Sequence, residues 1–266
     1  MGLEPKQATD ELFVDSVRKA FVVLEALNAA RHPLRLSEIA LRTGLGKSAA
    51  QRFVHTLRVL GLIRQDPKTR AYTMSPRILE YARAFFSSSR LCELAEPVLR
   101  DLAADTGETV NLSEIDGVDI IYTLRFPSVH SVSVDLSVGA RLPAFNTAGG
   151  RAILAHWPEG EAAAALRDSK LEAWTPHTRI EPAALMAELA HIRTQGFALS
   201  NQEAFLGDVS IAAPILGFDG RCLAAVNIAV PTPRWTLDEV LERLRPQVVA
   251  AAARISTDLG RLAAAQ

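Results

Sequence analysis

Cysteine is scarce. The chain of 266 residues holds two, Cys92 and Cys222. A single pair in so long a chain makes no disulfide scaffold and fits a reducing compartment. No apolar run approaches the ~20 residues needed to cross a bilayer, and no charged-then-apolar leader opens the sequence. The expectation is a cytoplasmic protein with no membrane partner. The six histidines, His32, His55, His130, His156, His177 and His191, are scattered, and none pairs with another at metal-ligand spacing. Neither a metal nor a cofactor is expected. There is no Gly-x-Ser-x-Gly elbow to present a nucleophile. Gly46-Lys47-Ser48 echoes the end of a phosphate-binding loop, but Leu41 stands where that loop needs glycine. Trp157, Trp174 and Trp235 do not cluster for base stacking, so each is expected in a core or pocket wall. No catalytic residue emerges, and no internal repeat is visible. Hydrophobic residues at 48% and charged residues at 22% are the balance of a folded globular chain with ample core.

What the sequence does have is a concentration of positive charge. Residues 16–77 hold twelve lysines and arginines against three acids, Glu25, Glu38 and Asp66. The whole chain has a formal net charge of −1, so this surplus of nine positive charges is balanced by ten negative ones elsewhere. A basic module joined to an acidic one points to a nucleic-acid binder with a regulatory partner domain.

Within the basic stretch, residues 37–58 read as two short helices joined by a tight turn. Ser37 is the expected N-cap. Ile39, Ala40 and Leu45 supply an inward face, and Gly44 takes the left-handed cap. The second helix is expected over 47–60, with Ala50, Phe53, Val54, Leu57 and Leu60 at helical spacing. Its other face shows Lys47, Ser48, Gln51, Arg52, His55, Thr56 and Arg58. This is the layout of a helix-turn-helix with a recognition helix for the major groove. An amphipathic pair with a merely solvated outer face has the same pattern, and the local charge favours the first reading. A helix ending near residue 28 precedes the pair, with Val17, Phe21, Leu24 and Leu27 facing inward. Residues 61–74 read as a hairpin whose tip carries turn residues with Lys68 and Arg70. Three helices and a basic hairpin make a winged helix-turn-helix over 16–75, after a flexible arm at 1–15. Ser48, Gln51, Arg52 and His55 would then read bases. Lys47, Arg58, Arg64, Lys68 and Arg70 would grip phosphates, with Ser37 and Thr56 also on the DNA side.

A linker helix is expected over 76–89 from Ile78, Leu79, Ala82, Phe85 and Phe86, then a helix over 91–105 closed by Thr106-Gly107. Strands are expected at 109–115, 118–124, 132–136, 209–216 and 222–230. Helices are expected at 147–156, 161–168, 182–195 and 236–265, the last broken near Pro246. Residues 90–266 thus read as an α+β domain with a mostly antiparallel sheet. Cys222 in its apolar strand reads as packing. Asn146-Thr147-Ala148-Gly149-Gly150-Arg151 puts small residues at a helix start, where free amides and the helix dipole favour an anion. A tight turn that needs glycine for close packing gives the same sequence, and both readings stand. Arg125 and Arg141 are candidate carboxylate partners, since a guanidinium offers a bidentate fork. Both also fit surface cations, the favoured reading for Arg141.

Four stretches, in this order and spacing, resemble the IclR family of bacterial transcription regulators over about residues 16–260. They are Leu36-Ser37-Glu38-Ile39-Ala40 with its turn, Gly61-Leu62-Ile63, Leu142-Pro143-Ala144-Phe145-Asn146-Thr147-Ala148-Gly149-Gly150-Arg151, and Ser210-Ile211-Ala212-Ala213-Pro214-Ile215. The resemblance implies a winged helix domain, a linker helix and a GAF-like domain that binds a small effector. It implies homodimers or homotetramers on palindromic operator DNA. It places effector contacts at Ala148 and Gly149, with Ser200, Asp208, Ser210 and Asn227 lining the pocket; the helix-start reading adds Thr147 and Gly150 as effector contacts, and the guanidinium chemistry adds Arg125. Leu124-Arg125-Phe126-Pro127 and the run from Ser133 to Phe145 resemble the branch that controls catabolism of aromatic acids such as protocatechuate and 4-hydroxybenzoate. Two positions depart from the family: an acid is frequent where this chain has Ser200, and Leu-Arg where it has Asp208-Val209. Asp208 would repel a carboxylate or accept from a hydroxyl. Two other functions fit less well: an enzyme on the GAF-like fold, which turnover would reveal, and a DNA-binding oligomerisation protein without an effector, which no ligand would stabilise.

Overall fold

The computed structural model describes residues 12–30, 32–130 and 136–264. They fall into two units that divide between Ser88 and Ser89. The first contains α1 (Asp15–Asn28), α2 (Leu36–Thr43), α3 (Lys47–Val59), the strands β1 (Ile63–Gln65) and β2 (Tyr72–Met74), and α4 (Ile78–Ser88). Val23, Leu24, Leu27, Leu34, Ile39, Val54, Leu57 and Ile63 form its core. Burying each such side chain contributes roughly 1.5–3 kcal/mol. Gly44 closes α2 at φ 67°, the left-handed cap that glycine adopts without steric cost.

Three expectations need correction here. Ser37 is not the N-cap of α2: the helix begins at Leu36, and the Glu38 carboxylate reaches back to accept the Arg35 amide at 2.8 Å. That contact satisfies the helix start, so Ser37 lies inside the first turn, exposed. Val17 and Phe21 do not face inward. The buried stripe of α1 is Val23, Leu24 and Leu27, and the core engages α1 only from Ala20 onward. Leu60, just past α3, is exposed as well, because the helix ends before its side chain can turn under.

The second unit runs through α5 (Arg90–Thr106), β3 (Thr109–Asp116), β4 (Asp119–Phe126), β5 (Arg141–Pro143), a 3-10 turn at Ala144–Asn146, and α6 (Ala148–Leu154). Then come α7 (Glu159–Asp168), α8 (Pro182–Gln195), β6 (Ala198–Asn201), β7 (Asp208–Leu216), β8 (Cys222–Pro231), α9 (Leu237–Glu239), a π turn at Val240–Leu244 and α10 (Arg245–Ala264). Among the described residues six strands pair antiparallel in the order β5-β4-β3-β8-β7-β6. Strand alternation sorts the sheet into two faces. Val110, Leu112, Val209, Ile211, Val226 and Ile228 pack with α5 and α10. The alternate residues, among them Ala212 and Ala225, pack under α6 and α8. The same face carries the polar residues Asn111 and Asn227, paired across β3 and β8, with Ser113 on β3 and Ser210 on β7 one step along the strands.

The β3–β4 register shifts between Leu112 and Ser113, so Thr123 is an extra residue on β4. Tyr122 pairs with Ser113 and Arg125 with Asn111. The bulge therefore puts Tyr122 and Arg125 on one face, although strict alternation would separate them. The strand β6 has no counterpart among the sequence expectations. The expected break at Pro246 lies earlier: the π turn precedes α10, and Pro246 sits in the first turn of that helix, where its missing N–H costs nothing. Most of the expected strand at 132–136 lies outside the described residues. Among the described residues no helix is long and apolar enough to cross a membrane.

Candidate nucleic-acid interface and ligand cavity

In the first unit, α3 buries Ala50, Val54 and Leu57 and leaves Lys47, Ser48, Gln51, Arg52, His55, Thr56 and Arg58 exposed. Ser48, Gln51, Arg52, His55, Thr56 and Arg58 line an open cleft with Arg70 from the hairpin. Gln65 and Tyr72 complete its wall, and sequence reasoning missed both. Thr56 spends its hydroxyl proton on the Arg52 carbonyl at 3.0 Å and keeps only acceptor capacity. Arg64 projects from β1 and donates to Thr73 Oγ1 at 3.3 Å. At the hairpin tip the Asp66 carboxylate accepts the amides of Lys68 and Thr69 at 2.8 and 2.7 Å, which holds its pKa below the usual value. The turn thus absorbs the one acid of the wing and leaves Lys68 and Arg70 projecting. Ser37, Lys47, Arg64 and Lys68 are exposed but lie outside the cleft lining.

In the second unit, a cavity of about 220 Å³ opens over the polar face of the sheet. It is lined by Arg125, Thr147, Ala148, Gly149, Ser200, Asp208, Ser210 and Asn227. Gly150 is absent from the lining, which corrects the expectation for it. Its amide is held by the Thr147 hydroxyl at 3.2 Å, and a Cβ there would fall on the Ala144 backbone. Gly150 is thus a packing glycine. Gly149 serves both purposes, since it lines the cavity and a Cβ on it would meet Ser113 Oγ at 2.5 Å. Arg141 lies away from the cavity, exposed, paired with Asp116 at 2.5 Å and Asp119 at 3.3 Å.

A row of side chains crosses four strands on the cavity floor. Arg125 donates to Asn111 Oδ1 at 2.9 Å, Asn111 to Asn227 Oδ1 at 3.4 Å, and Asn227 to Ser210 Oγ at 3.0 Å. Ser200 is buried and donates to the Asn146 carbonyl at 3.0 Å. Burial pushes the Asp208 carboxyl up to about 7, against the pull of the Arg125 charge. Burial raises the Tyr122 hydroxyl too, with the Asp208 charge adding to it. Sequence reading missed Tyr122, Asn111 and Glu108, because the bulge and the register that gather them leave no local signal.

Two buried acids hold the walls. Glu108 accepts from Arg234 at 2.7 and 2.5 Å and from the Trp235 indole at 2.8 Å. Glu203 pairs with Arg151, which is fully buried and also donates to the Phe145 carbonyl at 2.7 Å. The segment after Glu203 supplies Ala204, Phe205, Leu206 and Gly207 to the cavity wall. Trp174, expected in a core or wall, is exposed and packs edge-on against Phe205. Cys92 and Cys222 are both buried free thiols. Among the described residues no cluster of His, Cys, Asp and Glu could hold a metal.

Two family descriptions match this arrangement: the IclR helix-turn-helix domain over residues 16–67 and the bacterial transcriptional regulator IclR C-terminal domain over 83–257. The chain belongs to the IclR family of bacterial transcriptional regulators. This IclR-family chain is a DNA-binding regulator rather than an enzyme. It is 34% identical to the Pca regulon regulatory protein of Pseudomonas putida, over 91% of this chain and 83% of that one. The crystal structure of an IclR regulator from Alicyclobacillus acidocaldarius superposes with a TM-score of 0.82 at 27% identity, over 93% of this chain and 100% of that one. An IclR homologue of Microbacterium hydrocarbonoxydans, crystallised with 4-hydroxybenzoate, gives 0.77 at 25% identity, over 92% and 98%.

Proposed function

We propose that the second unit is the effector domain of an operator-binding regulator, and that its cavity takes one small organic acid, most fittingly an aromatic acid of a single ring. The observation that carries this is the cavity: about 220 Å³, with a guanidinium, a helix start and a row of amides on its walls. A cavity of about 150 Å³ suffices for benzene, so this one has room for a substituted ring. Arg125 supplies positive charge for the carboxylate. Ala148 and Gly149 open α6, where the first helical amides have no partner within the helix. The similarity to a regulator of a Pca regulon and to a homologue that holds 4-hydroxybenzoate supports control of an aromatic-acid catabolic operon.

In this reading residues 16–75 bind operator DNA, 76–89 link, and 90–266 bind the effector and assemble a homodimer or homotetramer. Ser48, Gln51, Arg52 and His55 read base edges, with Gln51 suited to adenine and Arg52 to guanine. Lys47, Arg58, Arg64, Lys68 and Arg70 contact phosphates, beside Ser37 and Thr56. Thr147, Ala148, Gly149, Ser200, Asp208, Ser210, Asn227 and Arg125 surround the effector. The effector switches the protein by binding its DNA-binding geometries unequally, and α4 carries the difference.

The test is a thermal-shift screen of the purified protein against aromatic and aliphatic carboxylic acids, since a ligand of the folded state raises the melting point. A shift with 4-hydroxybenzoate or protocatechuate supports the aromatic reading. A shift with short aliphatic acids alone keeps the acid site and removes the aromatic pathway. No shift with any acid sinks the acid-effector reading.

A further inference from the structure

Most polar side chains around the cavity are already engaged. Glu108 is taken by Arg234 and Trp235. Asn111, Asn227 and Ser210 bond one another along the floor. The Thr147 hydroxyl accepts the Gly150 amide, and Ser200 donates to the Asn146 carbonyl. Two groups differ. Among the described residues, neither the Asp208 carboxyl nor the Tyr122 hydroxyl hydrogen-bonds to another side chain or to the backbone. Both line the cavity, Asp208 from the start of β7 and Tyr122 from β4. They also feel each other, since the Asp208 charge is the second cause of the raised Tyr122 hydroxyl.

Both side chains therefore offer the cavity hydrogen-bonding capacity that no protein group among the described residues takes up. A carboxylate beside them would meet the negative charge of Asp208. An ammonium only donates, so it would leave the Tyr122 hydroxyl proton without an acceptor. A hydroxyl does both: it donates to Asp208 and accepts from Tyr122. Burial brings Asp208 to about 7, so charged and neutral forms coexist near neutrality. A ligand hydroxyl satisfies either form, by donating to one or accepting from the other.

We propose that Asp208 and Tyr122 form a hydroxyl subsite, which makes this chain select hydroxy acids over the same acids without the hydroxyl. The inference rests on the reading of the cavity as a small-acid site and adds a second polar contact for its ligand. It turns Asp208, the departure from the family pattern, into the specificity-determining residue.

The experiment is calorimetric titration of the full-length protein with benzoate and its 2-, 3- and 4-hydroxy derivatives, and with butyrate and 4-hydroxybutyrate. At least one hydroxy acid should bind about tenfold or more tighter than its parent, as expected of a site built to bond that group. Asp208→Leu and Tyr122→Phe should each bring the ratio close to one, with the parent acid bound at least as well as before. Asp208→Asn, which still donates and accepts, should keep most of the preference. Should Asp208→Leu fail to fold, Tyr122→Phe removes one oxygen and decides alone. Equal binding of parent and hydroxy acids by the wild type overturns the subsite and leaves the acid site standing. So does a preference that survives in Tyr122→Phe and Asp208→Leu. Absence of binding by every acid overturns both.

Discussion

Arg151 and Glu203, 52 residues apart in sequence, form a buried bidentate ion pair that ties the segment after β6 to α6. Arg179 approaches the same carboxylate at 3.9 Å, and its amide donates to it at 3.1 Å. Removing one partner strands a buried charge, which costs on the order of 3–5 kcal/mol. Glu203→Ala should lose about that much in urea unfolding of the second unit. The double variant Arg151→Met with Glu203→Leu should lose clearly less than the two single losses combined, because the stranded charge is gone. Additive losses would show that the pair is not coupled.

The two glycines of α6 should respond differently to a methyl group. In Gly150→Ala the new Cβ falls on the Ala144 backbone, which cannot yield without moving the 3-10 turn. In Gly149→Ala it meets the Ser113 hydroxyl, a side chain that can rotate. Overpacking a core costs roughly 1–3 kcal/mol. Gly150→Ala is expected at the top of that range or beyond, and Gly149→Ala near the bottom, in thermal or chemical unfolding. Gly149→Ala should also narrow the cavity and weaken effector binding.

Asp208 gives stability a pH dependence. Its carboxyl rises from 3.8 to about 7 on folding, by burial, with Arg125 opposing. Between those values the folded chain holds more protons than the unfolded one, so this contribution falls as pH rises and is gone above about 7. Its full size is on the order of 4 kcal/mol. Urea unfolding at pH 5 and pH 8 should show a drop in wild type that Asp208→Asn lacks. Equal drops in the two proteins would place the proton elsewhere.

Operator binding should separate base readers from phosphate contacts. Gln51→Ala is expected to relax sequence preference at one operator position, by ~1–3 kcal/mol for a bidentate contact. Lys68→Ala should weaken all sequences alike and lower the salt slope by about one. Gel-shift titrations on a randomised operator library at two salt concentrations measure both. An unchanged preference in Gln51→Ala would remove α3 as the reader.

Much of the first unit was legible because its signals are local. Gly44 ends α2 where the turn residue stood, Ala50, Val54 and Leu57 are buried at helical spacing, and Asp66 builds the hairpin tip from its own backbone. The errors are local competitions as well. Glu38 outdid Ser37 at the helix start, and α1 began before its core did. In the second unit the same cues found the two long hairpins and the helices. They missed β6, four residues whose pairing with β7 is the main sign of a strand.

By itself the sequence determined the element types, the segregation of positive charge into one module and the positions that bring small residues to the start of α6, since periodicity, turn chemistry and charge are properties of neighbours along the chain. Only the tertiary structure decided which polar groups meet. Arg125, Asn111, Asn227 and Ser210 come into one row through strand order, and Tyr122 joins their face through a one-residue bulge. Burial then makes Asp208 a group poised near neutrality and Gly150 a packing element rather than a contact. Those outcomes depend on what lies across a sheet or under a helix, and no stretch of adjacent residues encodes that by itself.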